Sequence, residues 1–326
     1  MKLKELYATV IEQGKKTDPR GKELVEKELQ RIKKEYDDLK EDKKKDFDQE
    51  KLTNPYADTR ILFGNGDMDV KNILVGVDIE GAEMMLADRL IQKGQKIDLV
   101  VSHHPEGYAL ANLYQVMGVH ADICNQFGVS ISVAEALMNE RITEVQRRLL
   151  PANHTRIVDM AKLLNIPLMC VHTPADNSVS DYLQKKIDME KPYRVSDCLD
   201  LLRKIPEYKE AEKNNVGLKV VSGSEKGRAG RVMIDMTGGT SGSKDIYERL
   251  SHTDVGTIIG MHISDEHRKE AEKNHINVII AGHMASDTIG VNLVFDCLEE
   301  KEKLDIISCS GFRRVTGKER DGKYNP

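Results

Sequence analysis

From residue 73 onward the chain alternates short apolar runs with stretches of helical spacing. The runs occupy residues 73–77, 97–101, 129–133, 167–171, 216–221, 231–236, 257–261 and 278–281. Apolar runs of this length, bounded by turn-forming residues, predict buried strands, and several are followed by amphipathic patterns that predict helices. Residues 73–101 read as a βαβ unit, because 81–93 between the first two runs carries helical periodicity. Such a crossover makes its two strands parallel and puts their C-terminal ends on one edge of the sheet. The predicted class is therefore α/β.

The first fifty residues follow a different pattern. Lys, Glu and Asp dominate, with a break at Asp18-Pro19-Arg20-Gly21 that ends one predicted helix and starts another. In the second helix Val25, Leu29, Ile32, Tyr36 and Leu39 recur at steps of four and three, drawing a narrow apolar stripe on a charged rod. About two heptads cannot sustain an independent coiled coil, so the stripe is expected to lie against its own core or a sister subunit. The predicted organisation is a charged helical N-terminal extension over 1–65, a first α/β lobe over 66–190 and a second over 191–326.

Composition narrows the function classes. In 326 residues the net charge is −5, so no basic excess suggests nucleic-acid binding. No stretch offers about eighteen consecutive apolar residues, and Met1-Lys2-Leu3-Lys4-Glu5-Leu6 lacks the apolar core of a secretion signal. No membrane partner is expected. Cys124, Cys170, Cys198, Cys297 and Cys309 are far apart and odd in number. That usage fits a reducing compartment and a cytoplasmic protein.

The candidate chemistry sits at strand ends. Asp78 follows 74–77, His103 and His104 follow 99–101, His172 follows 169–171, His262 follows 258–261, and His283 follows 279–282. Ligands of open parallel sheets bind beyond the carboxyl ends of the strands, and scattered histidines have no reason to share that position. His172 and His283 each have an aspartate four residues on, Asp176 and Asp287. Residues i and i+4 of a helix face the same way, so each imidazole and carboxylate can grip one site. Neutral imidazole with carboxylate suits zinc, iron, manganese, cobalt or nickel. Alternatives are an N-cap role for Asp176, an exposed surface pair at His283 and Asp287, and a helix cap at Asn177. The segment Thr237-Gly238-Gly239-Thr240-Ser241-Gly242-Ser243-Lys244 reads either as a phosphate-approaching loop or as a plain tight turn.

With Ser102-His103-His104-Pro105, His172-Thr173-Pro174-Ala175-Asp176-Asn177, the Gly-Gly-Thr-Ser-Gly turn and Gly282-His283-Met284-Ala285-Ser286-Asp287 in this order, the chain resembles the NIF-three-like family, also labelled GTP cyclohydrolase one type two homologues. The resemblance spans roughly residues 73–298. It implies a two-lobed α/β fold with a dinuclear metal centre between the lobes and a homohexameric ring. It implies His103, His104, Asp176, His283 and Asp287 as metal ligands, with His172 and His262 nearby in proton-moving or substrate-facing roles. The family usually closes its last motif with Glu, whereas Asp287 is one methylene shorter, which leaves open whether it spans both ions or binds one. Residues 105–172 form a longer segment than the family pattern, whose added helices around 135–150 suit a lid or a subunit contact.

Two functions follow from these expectations. The first is a hydrolase using two divalent ions on a nucleotide, phosphoester or cyclic amidine. The second is a non-catalytic metal carrier or interaction protein that uses the same ligands.

Overall fold

The computed structural model describes residues 1–321. Among the described residues nine strands form two sheets: β1 Arg60–Phe63, β2 Asn72–Gly76, β3 Leu99–Ser102, β4 Leu168–Cys170, β5 Lys219–Ser222, β6 Arg231–Asp235, β7 Val255–Gly260, β8 Asn277–Ile280 and β9 Asp305–Cys309. The first sheet has the order β1-β4-β3-β2-β9 and the second β5-β8-β7-β6. Within each sheet the central strands are parallel, and one edge strand, β1 or β5, runs antiparallel with a register shift. The fold is mixed α/β with two sheets, as the strand-helix alternation predicts. The order β1-β4-β3-β2 is repeated by β5-β8-β7-β6, a similarity the sequence does not display. Among the described residues no helix is long and apolar enough to cross a membrane.

Most predicted strands form within two or three residues of their expected bounds. The run 129–133 does not. Its last three residues instead begin the helix Ile131–Leu149, with Ser130 at the N-cap. Its spacing continues through Ala134, Met138 and Val145, at steps of four and seven, and all three are buried. That face packs with Met233, Val255, Ile258 and Val278 of the second sheet, so helical periodicity prevails over a short alternation. Two strands were not predicted. β1 is a four-residue edge strand beginning with Arg60, and β9 mixes Asp305 and Ser308 with only partly buried apolar residues.

Sheet membership does not follow the expected lobe boundaries. β9 pairs with β2 in the first sheet although it lies within 191–326, and the helix Ile131–Leu149 packs on the second sheet although it lies within 66–190. The N-terminal helices also divide. Leu3, Leu6 and Val10 of the helix Leu3–Lys16 join the core of the first sheet with Val75, Val101 and Phe295. The helix Lys22–Asp37 is the charged rod, burying only Val25 fully, with Leu29, Ile32, Tyr36 and Leu39 half-buried.

After β4 and after β8 the chain enters a long helix, Thr173–Glu190 and His283–Glu299 respectively. These two helices cross closely at Gly290, where a Cβ would lie 2.4 Å from the Ala175 carbonyl oxygen. This contact brings the two sheets' carboxyl edges together.

Candidate metal centre

Each sheet contributes to one buried cluster. From the first come His103 and His104, just beyond β3, and His172 and Asp176, at the start of the helix after β4. From the second come His283 and Asp287, on the first turns of the helix after β8. His103 Nε2 lies 3.5 Å from Asp176 Oδ1 and 3.6 Å from Asp287 Oδ1. His104 Nε2 and His283 Nε2 each lie 3.4 Å from Asp287 Oδ2. His172 Nε2 is 3.7 Å from Asp176 Oδ2. All five residues expected as ligands are thus brought together, and Asp287 turns one oxygen to His103 and the other to His104 and His283.

The hydrogen-bond pattern tests whether an ion suits this place. His103 Nδ1 donates to the Val171 carbonyl at 2.9 Å, His104 Nδ1 is 2.6 Å from Asp78 Oδ1, and His172 Nδ1 is 2.8 Å from Asp58 Oδ2. Acceptors at Nδ1 fix the proton there and leave a lone pair on each Nε2. The Nε2 atoms of all three rings face the carboxylates of Asp176 and Asp287. His103 Nε2, Asp176 Oδ1 and both Asp287 oxygens are buried without a hydrogen-bond partner. Such atoms are costly unless something satisfies them. Separations of 3.4–3.7 Å are too long for good hydrogen bonds. They suit donors that share an ion at bond lengths of about 2.0–2.2 Å. Three overlapping groups, His103 with His104 and His172, His104 with His283 and Asp287, and His103 with Asp176 and Asp287, could each hold a metal ion.

The electrostatics agree. Burial works against ionisation of Asp287, but His103, His104 and His283 hold its carboxyl far below the usual range. Asp176 goes the other way, raised by burial and by repulsion from Asp287 and Asp58. Burial would lower His104, yet Asp287 and Asp78 outweigh it and hold the ring up at about 8. Burial depresses His283 to about 4. Carboxylates and imidazoles crowded into a dry pocket drive each other's protonation apart, and divalent charge would relieve that conflict.

Several sequence expectations change in detail. His172, expected beyond the ligands, presents Nε2 within the donor cluster. His262 stands outside it, exposed, with its ring 4.9 Å from that of His283. By strand register His262 holds the place in the second sheet that His104 holds in the first, two residues past the row of paired strand ends. Asp176 is not an N-cap and Asn177 caps nothing, because His172 occupies the cap and Pro174 sits in the first turn. Asn177 instead accepts from Thr237 Oγ1 at 2.6 Å, tying this helix to the glycine-rich turn. Asp58 was missed altogether. It is fully buried and accepts from both His172 and Thr173, but it precedes the unpredicted β1 and belongs to no recognisable motif. Asp78 was visible as a strand-end residue, though nothing in sequence paired it with His104.

The glycine-rich turn borders the cluster. Gly238 and Gly239 have φ of +98° and +79°, and a Cβ on Gly238 would collide with the His120 ring. Three successive carbonyls of the turn are held: Thr240 by His120 Nε2 at 2.9 Å, Ser241 by Arg141 Nε at 3.1 Å, and Gly242 by His267 Nε2 at 3.0 Å. Between turn and cluster lies a cleft of about 60 Å³, lined by His172, Asp176, His283 and Asp287 of the cluster together with Asp235, Thr237 and Thr240.

No known family model and no curated protein sequence matches the chain. Solved structures do. A NIF3 superfamily protein from Sphaerobacter thermophilus is 26% identical, with a TM-score of 0.69 over 80% of this chain and 94% of that one. Reduced HcgD from Methanocaldococcus jannaschii is 15% identical, with a TM-score of 0.46 over 82% and 94%. A Bacillus cereus protein related to NIF3 is 9% identical, with a TM-score of 0.42 over 80% and 92%. The likeness to the Sphaerobacter structure extends over nearly its full length, with more than a quarter of the residues identical. Together with the ordered histidine and aspartate motifs, that likeness places this chain in the NIF3 superfamily.

Proposed function

We propose that this protein is a dinuclear metal-dependent hydrolase acting on a nucleotide, phosphoester or cyclic amidine. The observation that carries the reading is the set of buried, unpartnered donor atoms on His103, Asp176 and Asp287, of which the two aspartates line a cleft. His104, His283 and Asp287 would hold one ion, and His103, Asp176 and Asp287 the other, with His172 close to the second set. A bound pair of divalent ions activates water and polarises an electrophilic carbon or phosphorus.

The chain's own residues supply the remaining tasks. Asp58 and Asp78 orient the rings of His172 and His104 and keep each Nδ1 protonated. The clamped turn at 237–243 gives the cleft a rigid wall, so a bound molecule is held without reorganisation. His262, exposed beside His283, is placed to exchange a proton at its ring nitrogen with an attacking or departing group.

The second reading, a metal carrier, draws on the rim: His283 is 40% exposed and His262 is open to solvent, so an ion there is accessible to a partner. Purified protein loaded with Zn, Mn, Fe or Co and assayed on phosphoesters, GTP and cyclic amidines separates the two. Turnover that His104→Ala abolishes supports the hydrolase. Tight metal binding with no turnover on any compound supports the carrier, and less than one ion per chain by elemental analysis overturns both.

A further inference from the structure

The cleft beside the donor cluster is also lined by an acid that, among the described residues, makes no hydrogen bond at its side chain. Asp235, the last residue of β6, lines the cleft with its side chain 32% exposed. Among the described residues it accepts no side-chain hydrogen bond. Its neighbour is His120, whose Nδ1 lies 3.6 Å away, beyond hydrogen-bond length, while Nε2 is committed to the Thr240 carbonyl.

The cleft has no lysine or arginine among its described lining residues. The basic groups nearest to the glycine-rich turn are spent elsewhere. Arg141 bonds the Ser241 carbonyl and pairs with Glu144, and Lys244 pairs with Glu266 at 3.1 Å. A phosphate reaching past the donor cluster would therefore meet a carboxylate with no cation to offset it. An N–H edge would find a charged acceptor, and such charge-assisted bonds are roughly twice as strong as neutral ones. A cleft of about 60 Å³ has room for about four to six waters at about 10–15 Å³ each, which suits a small ring.

We propose that Asp235 selects the substrate, a small phosphate-free ring that presents an amidine or guanidine N–H edge to this carboxylate. The inference rests on the hydrolase reading for what happens at the other end of the ring. It concerns recognition, however, and is tested by binding.

Wild-type protein and Asp235→Asn are titrated calorimetrically with 2-iminoimidazolidine, a cyclic guanidinium, with 2-imidazolidinone, its neutral twin, and with inorganic phosphate. Each titration is run with and without added Mn²⁺, and metal uptake is measured separately. The wild type is expected to bind the cyclic guanidinium at least tenfold more tightly than the neutral ring. Asp235→Asn is expected to erase that ratio while keeping its affinity for the neutral ring and its metal uptake. Asp235→Ala serves as a second variant if the amide disturbs folding. A ratio unchanged in both variants, no binding of the cyclic guanidinium by the wild type, or phosphate binding more tightly than either ring overturns the proposal. Loss of metal uptake in the wild type would instead strike the hydrolase reading, since Asp235 lies outside the donor cluster and its ratio is read without metal as well.

Discussion

Replacing Gly290 with alanine tests how the centre is assembled. Gly290 lies inside the helix His283–Glu299 in ordinary helical conformation, so the substitution brings no backbone strain, and by propensity alone it should stabilise the helix by about 1 kcal/mol. The new Cβ, however, would sit 2.4 Å from the Ala175 oxygen and 2.8 Å from its carbonyl carbon, both backbone atoms of the facing helix. A carbon and an oxygen approach to about 3.3 Å at best, so the helices must part by roughly 0.9 Å or more. Overpacking of this kind costs about 1–3 kcal/mol, which offsets or exceeds the propensity gain. The larger effect is expected on metal affinity, because Ala175 neighbours Asp176, and Asp287 lies one turn before Gly290. Metal sites tolerate about 0.2 Å in donor position. Urea unfolding should show a midpoint at or below wild type, and competition with a chromophoric chelator should show metal binding weakened at least tenfold. Gly118→Ala is the control, since the Cβ it gains would have nothing within 4 Å. An unchanged metal affinity in Gly290→Ala, with a raised midpoint, would refute the claim that this helix crossing sets the donor spacing.

Three further outcomes are expected. Asp58→Asn removes the charge that orients His172, and losing such an outer partner typically weakens metal binding about 10–100-fold; a zinc titration matching wild type would show that Asp58 serves only the fold. Burial opposes ionisation of Asp98, but hydrogen bonds from the Asn72 backbone and side chain and the Lys71 backbone prevail and lower its pKa. Its contribution is therefore present above the unfolded pKa and lost as pH falls through the lower folded value. Asp98→Asn should be less stable than wild type at pH 7, with the gap closing below about pH 4, and a gap in urea midpoints that widens on acidification would contradict this. Chelator treatment should lower the melting temperature and readdition of the metal should restore it, since a ligand of the folded state stabilises by mass action; identical melting curves would speak against a bound ion.

Local pattern along the chain was enough to mark most of the elements and the residues just beyond their ends. Apolar runs mark seven of the nine strands, and the recurrence of histidine beyond their ends, with His172 and Asp176 matched by His283 and Asp287, marks the chemistry. These features are local, written in periodicities of two and 3.6 residues and in i,i+4 spacing. Tertiary structure decided what the local code cannot express. It carried the helix expected around 135–150 back to Ile131 by giving Ala134, Met138 and Val145 a sheet to cover, and it returned β9 to the first sheet beside β2. It drew Asp58 from outside any motif onto His172, and let Gly290 meet Ala175 so that Asp176 and Asp287 share one pocket. Those contacts join residues about 115 positions apart, as from Ala175 to Gly290, and only the packing of two helices and the register of two sheets fixes such distances.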